Sequence, residues 1–166
     1  EADDTMASVT KWAKEKEGLE VYLCTSDKDL FQLVEKDVYI VLPHKNNMLV
    51  DREKVNEIFG VYPEQMLDYL AIVGDTSDNI PGLPGFGPKT AVELLHKFKN
   101  LDDILKHPEK VPGAKKQETL VKEQDKALLS KELATLNLKI DIPHKKDFYR
   151  KKTTEVQALS DFYQKM

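Results

Sequence analysis

The stretch GDTSDNIPGLPGFGPKTA at residues 74–91 constrains this chain more than any other. It sets two acids, Asp75 and Asp78, ahead of a turn containing Gly82, Gly85 and Gly87, and then opens a helix at Pro88. Proline suits the first helical turn, where its missing N–H costs nothing. Acids at this spacing can hold a hard cation through oxygen ligands. A glycine-rich turn feeding a helix N-terminus presents bare backbone N–H groups to a phosphate. A cation site beside a phosphate site points to phosphodiester chemistry on nucleic acid. A Walker loop is excluded, because no G-x-x-x-x-G-K-[ST] pattern occurs.

The charge distribution supports a division at this stretch. Across 166 residues the net charge is only −4. Residues 1–80, however, carry 8 Lys or Arg against 17 Asp or Glu, and residues 81–152 carry 16 against 10. An acidic half followed by a basic half fits a metal-holding body joined to a polyanion-binding module, although lysine-rich helices are also simply well solvated. No apolar run approaches the ~20 residues of a membrane span, so no membrane partner is expected. The start lacks the basic and apolar pattern of a signal peptide.

In chain order, residues 1–16 read as a helix of good formers stopped at Gly18. Residues 19–25 are apolar and β-rich and read as a buried strand. The single cysteine, Cys24, lies in that run. It excludes an internal disulfide and reads as a buried strand residue of a reducing cytoplasm. A short helix over 30–34, a strand over 38–42 stopped by Pro43, and a hairpin into 48–50 follow. Asp51 reads as the cap of a helix through Ile58. Pro63 starts a helix to Val73 with Met66, Leu67, Leu70 and Val73 on its apolar face. Beyond Pro81 the pattern is helical: 88–98, 101–106 capped by Asn100, and a long amphipathic helix over 117–136. An extended segment over 138–142 and a last helix from Thr153 complete it. The expected class is therefore α/β, with an α/β body over 1–80 and an all-helical module over 81–166.

Three groups of acids flank the α/β elements: Glu1, Asp3 and Asp4; Asp27 and Asp29; Asp75 and Asp78. Two divalent ions held roughly 3.5–4 Å apart by such acids can activate a water and steady a leaving oxygen. Each group alone is equally well read as helix caps and dipole partners. No His or Cys spacing suggests zinc, and His44, His96, His107 and His144 read as isolated, solvated residues.

The segment L-P-G-F-G-x-x-T-A has the form of a helix–hairpin–helix turn. Gly85 and Gly87 permit backbone shapes closed to other residues, and Lys89 and Thr90 are placed to reinforce the N–H donors of the helix that follows. Such contacts read backbone and shape rather than sequence, and they weaken with salt.

Together, the blocks Glu1-Ala2-Asp3-Asp4, Thr25-Ser26-Asp27-Lys28-Asp29 and 74–91 resemble the 5′-nuclease (5′-3′ exonuclease) domain of bacterial DNA polymerase I, within the flap-endonuclease superfamily. The resemblance extends over nearly the whole chain. It implies a partial PIN-like parallel sheet with helices, followed by a helix–three-turn–helix DNA-binding module. The implied activity is two-metal, structure-specific 5′ nuclease action with Mg²⁺ or Mn²⁺ on 5′ flaps, nicked or gapped duplex and RNA primers in replication and repair. By position, Glu1, Asp3 and Asp4 match acids of the first metal site. Asp27 and Asp29 match the pair after the central strand, and Asp75 and Asp78 the second-site pair, with Asp27, Asp29, Asp75 and Asp78 catalytic. Gly82, Gly85, Phe86, Gly87, Lys89 and Thr90 fall where the family grips duplex DNA, with a K⁺ ion held at the turn over 82–87.

The resemblance further implies a monomer in the bacterial cytoplasm, at the nucleoid, fused to a polymerase domain. The abrupt start on Glu1-Ala2-Asp3-Asp4 gives the expectation of a fragment. The family's first strand, with its own metal-binding Asp, and its helical arch have no counterpart in this sequence, so weak or absent cleavage by the chain alone is expected. A non-catalytic duplex-binding module, and a structural partner protein using the turn for protein contacts, remain as alternatives.

Overall fold

The computed structural model describes residues 2–165. Helix α1 (Ala2–Glu17) leads into β1 (Val21–Cys24), which pairs in parallel with β2 (Val38–Leu42). The connection between them is a 3-10 turn over Asp29–Leu33. Strand β2 turns back into β3 (Met48–Val50) through Asn46 and Asn47, both with positive φ as a tight hairpin requires. The sheet order is β1-β2-β3. Val38, Ile40 and Leu42 of β2 point inward at alternate positions, as strand periodicity demands.

Strand β1 departs from the expectation of a buried strand. Leu23 is buried, but Tyr22 is 53% exposed and Cys24 is also exposed. Tyr22 and Cys24 alternate with Leu23 and so share the face of β1 turned away from the core. Tyr22 instead stacks on Tyr39 with ring centroids 5.3 Å apart.

Helix α2 (Arg52–Phe59) begins where the Asp51 carboxylate accepts the Lys54 N–H at 2.8 Å. Helix α3 (Pro63–Val73) is the centre of the molecule. Met66, Leu70, Ala71 and Ile72 are almost wholly buried, and the helix meets the Asp29–Leu33 turn, α4 (Pro88–Lys97) and α7 (Gln124–Ala134). Between α4 and α7 lie α5 (Leu101–Lys106), capped by the Asn100 side chain on the Asp103 N–H at 2.9 Å, and α6 (Ala114–Lys122). One continuous apolar core runs from Leu23 through α3 to Leu120, Ala127 and Ala134.

The single helix expected over 117–136 is two. The chain breaks at Glu123, which leaves the helical region with φ −107 and ψ 19. No glycine or proline marks the break, so packing sets it. α7 turns the small residues Ala127, Ser130 and Ala134 inward for close approach, whereas α6 is anchored by Leu120 and by Gln117 Nε2 donating to the Val111 carbonyl at 2.8 Å. No strand forms over 138–142. That segment straps across α1, where Ser8 Oγ donates to the Asn137 carbonyl at 3.1 Å and accepts the Ile140 N–H at 3.2 Å. The last helix, α8 (Val156–Gln164), buries no residue. Among the described residues, no helix is long and apolar enough to cross a membrane.

Candidate metal centre and nucleic-acid interface

Two local structures build the acidic site. At the end of β1 the Asp27 N–H donates to Thr25 Oγ1 at 3.0 Å, and the Asp29 N–H donates to Asp27 Oδ1 at 3.1 Å. These bonds curl the chain into the 3-10 turn and aim both carboxylates off the strand end, where α/β sheets bind ligands. The second structure is the loop after α3. Asp75 and Ile80 exchange backbone bonds, N–H to carbonyl, at 3.0 and 2.7 Å, and pinch off residues 76–79 with Asn79 at φ 57. Gly74 and Gly82, with φ 78 and 61, close that loop at its base.

Carboxylate oxygens of Asp27, Asp29 and Asp78 thereby come within 4.8 Å of one another. Asp29 is buried, and its Oδ1 has no hydrogen-bond partner. Burial, reinforced by the negative charges of Asp27, Asp78, Asp75 and Asp3, pushes its carboxyl up to about 7. Three converging carboxylates, one with a buried oxygen left unpartnered, are the donor set a hard divalent cation takes. Asp29 and Asp78 also line a cleft of about 190 Å³ together with Asp3, Asp4, Thr135 and Leu136. The start of α1 and the end of α7 therefore face the same acids. One Asp4 oxygen is already engaged, accepting the Asn137 N–H at 2.7 Å. Glu1, the remaining acid of the first group, lies outside the described residues.

Asp75 stands apart from the three. It is 5% exposed, with Oδ1 accepting the Ser77 N–H at 2.8 Å and Oδ2 accepting from Lys28 Nζ at 2.7 Å. Burial alone would raise its carboxyl, but Lys28 and the Ser77 N–H outweigh that and hold it below the usual carboxylate range. The expected pair Asp75 and Asp78 is thus split: Asp78 joins Asp27 and Asp29, and Asp75 faces a lysine.

The glycine turn is pinned from below and open above. Leu83 and Phe86 are buried in the core, and the Leu83 N–H donates to the Ile72 carbonyl at 2.8 Å. The expectation that Gly82 and Phe86 meet DNA does not fit this arrangement. Gly82 is buried and gives its N–H to Ser130 Oγ at 3.1 Å, while Phe86 places its ring in the core and its N–H on the Leu83 carbonyl. Gly85 (φ 81) and Gly87 face open space, and a Cβ on either would meet nothing within 4 Å. Gly87 caps α4 without a side-chain acceptor for the helix's first N–H groups. Lys89 is exposed beside them, and Thr90 Oγ1 accepts from Lys116 Nζ at 3.0 Å.

That last contact exposes residues the sequence reading passed over. Pro84 and Gly85 share a groove of about 550 Å³ with Gly113, Lys115, Lys116 and Thr119, at the start of α6. The sequence signal for it is the Pro-Gly-x-Lys-Lys run at 112–116. Ser130 and Lys131 were also missed. Lys131 Nζ reaches Asp68 at 3.0 Å and Asp102 at 2.9 Å, tying α7 to α3 and α5 directly beneath the turn.

Residues 1–60 match the N-terminal resolvase-like domain of 5′-3′ exonucleases, and residues 61–157 match the C-terminal SAM fold of the same enzymes. A DNA polymerase I of Borreliella burgdorferi is 43% identical over 156 residues, covering 93% of this chain and 17% of that protein. Among solved structures, the T5 5′-exonuclease with bound divalent zinc matches at a TM-score of 0.73 and 26% identity. That match covers 82% of this chain and 50% of the other. A bacteriophage T5 flap endonuclease in a pseudo-enzyme-product complex with DNA and metal ions matches at 0.70 and 25%, covering 83% and 50%. The chain spans less than a fifth of the polymerase relative and half of the phage structures. With the two family domains matched over residues 1–60 and 61–157, the chain belongs to the 5′-3′ exonuclease family.

Proposed function

We propose that the chain supplies the metal-holding carboxylates and the duplex grip of a structure-specific 5′ nuclease. Its substrates are 5′ flaps, nicked or gapped duplex DNA and RNA primers. The observation that carries this reading is the convergence of Asp27, Asp29 and Asp78, with the buried, unpartnered Asp29 Oδ1, on the loop that runs directly into the glycine turn. Divalent ions, Mg²⁺ or Mn²⁺ and two in number, would supply an activated water and stabilisation of the leaving oxygen. Asp27, Asp29 and Asp78 would hold them, with Asp3 and Asp4 across the cleft. Asp29 must release its proton to take part, and so couples metal binding to pH.

The free N–H groups at the start of α4, with Lys89 and the Lys115–Lys116 pair, would hold the phosphate backbone of the duplex without reading its sequence. A K⁺ ion on carbonyls of the turn would complete that grip. The division of labour falls near residue 80, with the acids before it and the grip after it. The setting is a monomer in the bacterial cytoplasm, and its place within a polymerase-bearing protein accords with the polymerase I relatives.

Titrating the chain with Mn²⁺, and separately with a labelled 5′-flap duplex at several salt concentrations, tests the reading. It predicts Mn²⁺ binding weakened at least about tenfold by Asp78→Asn, and DNA affinity that falls steeply with salt. DNA binding with no Mn²⁺ binding would favour a non-catalytic duplex-binding module. Binding of neither would remove both.

A further inference from the structure

Lys28 lies in the backbone between Asp27 and Asp29, yet its side chain turns across to Asp75, 47 residues away in sequence. The resulting pair is lopsided. The Asp75 side chain is 4% exposed and fixed on its other oxygen by the Ser77 N–H, whereas the Lys28 side chain is 51% exposed. The anion cannot move and the cation can. A lysine ammonium on a flexible stem rehydrates readily once released, so the pair can open from the Lys28 side alone.

We propose that Lys28 is a tethered competitor of divalent metal: Lys28 lies between Asp27 and Asp29, its ammonium occupies an oxygen of Asp75 on the loop that also carries Asp78, and an ion that spreads from the three carboxylates onto Asp75 displaces it. Before metal arrives, the Lys28 bond and the Ser77 N–H together hold the Asp75 carboxylate in place. Lys28 thereby preforms one half of the site and at the same time sets the metal concentration at which that half fills. This rests on the reading of the acidic cleft as a metal centre.

The test is Mn²⁺ binding, followed by calorimetry and by the Mn²⁺ electron paramagnetic resonance signal, in the wild-type chain, Lys28→Met and Lys28→Arg. Lys28→Met removes one charge-assisted bond that metal must otherwise break, so the weaker ion binds about five- to tenfold more tightly. Its metal-free melting temperature falls and recovers when Mn²⁺ is added. Lys28→Arg, which holds a carboxylate in a two-pronged grip, binds the ion no more tightly than wild type. In the unmutated chain, the hydrogen-bonded Lys28 ammonium signal in ¹⁵N NMR is lost on Mg²⁺ addition, a readout independent of whether either variant folds. Lys28→Met affinity equal to or below wild type, or an ammonium signal unchanged at saturating Mg²⁺, would make the pair merely structural and overturn the proposal. If the wild-type chain binds no Mn²⁺ at all, the metal-centre reading itself fails and takes this one with it.

Discussion

Gly74 and Gly82 lie backbone against backbone: a Cβ on Gly82 would stand 2.5 Å from the Gly74 nitrogen, and one on Gly74 would stand 2.6 Å from the Ile80 carbonyl oxygen. Neither neighbour is a flexible side chain that could yield. Both glycines also have positive φ, which other residues adopt only with strain. This contact closes the loop that carries Asp75 and Asp78, so one glycine pair ties these acids to the turn beyond them.

Gly82→Ala should therefore cost about 2–4 kcal/mol of stability, from overpacking and backbone strain together. It should also weaken Mn²⁺ binding by moving Asp78. Gly85→Ala is the control: the space is open and only the conformational cost of ~1 kcal/mol applies. Denaturant midpoints of the two variants, measured side by side, check the difference. Equal losses would mean that the Gly74–Gly82 apposition does not govern the loop.

Ser130 is fully buried on α7 and accepts the Gly82 N–H while donating to the Lys126 carbonyl at 2.8 Å. Ser130→Ala leaves that N–H without an acceptor and should cost about 1–3 kcal/mol. Hydrogen exchange at the Gly82 amide should rise in the variant well beyond the change at amides of α2. An unchanged Gly82 amide would show that the bond to Ser130 does not hold the turn.

The helix starts and caps were legible because they are short-range: Asp51, Pro63 and Asn100 act within one helical turn of themselves. What was not legible depends on distant neighbours. The break at Glu123 comes from how α6 and α7 each meet the core. The exposure of Cys24 comes from β1 turning only one of its faces to the core, which an apolar run does not reveal. Asp27, Asp29 and Asp78 were recognisable as candidate ligands. The capture of Asp75 by Lys28 was not, since nothing local links two residues 47 apart. Phe86 sits between two exposed glycines yet turns inward, and its apolar character was the available signal.

Asp29 makes the metal-free protein pH-sensitive. Its folded value of about 7 is raised above the ordinary carboxylate value of 3.8, so between those two pH values the folded state binds more protons than the unfolded one. The contribution to stability is full below about pH 4, declines as pH rises, and is gone once pH has passed through about 7. Asp75, held low, works in the opposite sense and loses its contribution only as pH falls below the ordinary carboxylate range. The melting temperature without metal should thus be a few degrees higher at pH 5.5 than at pH 7.5, on the order of 1 kcal/mol or more. Asp29→Asn should flatten the dependence, and a wild-type curve already flat across this range would contradict the assignment.

In the proposed metal centre, metal and this proton compete for the Asp29 carboxylate. Mn²⁺ binding near pH 6.5 should release a proton, seen as a calorimetric heat that varies with the ionisation enthalpy of the buffer. The variation should disappear in Asp29→Asn. Its persistence there would place the released proton on another group.

Lys89 and Lys115 are exposed, and replacing either should leave the melting temperature nearly unchanged, whereas the half-buried Lys116 also gives up its bond to Thr90. Each alanine substitution should weaken duplex binding about equally for unrelated sequences and lower the magnitude of the salt slope by roughly 1. A loss confined to one DNA sequence would mean base reading rather than backbone grip.

In the proposed function, the acidic cleft and the glycine turn serve one site on one DNA molecule. Fe²⁺ placed in the cleft, with ascorbate and peroxide, cuts DNA wherever the strand passes close to the bound ion. With a labelled 5′-flap duplex, the account predicts cuts confined to a few nucleotides around the flap junction. These cuts should be lost in Asp78→Asn even though that variant still binds the duplex. Cuts spread evenly along bound DNA, or a junction pattern that survives Asp78→Asn, would contradict it.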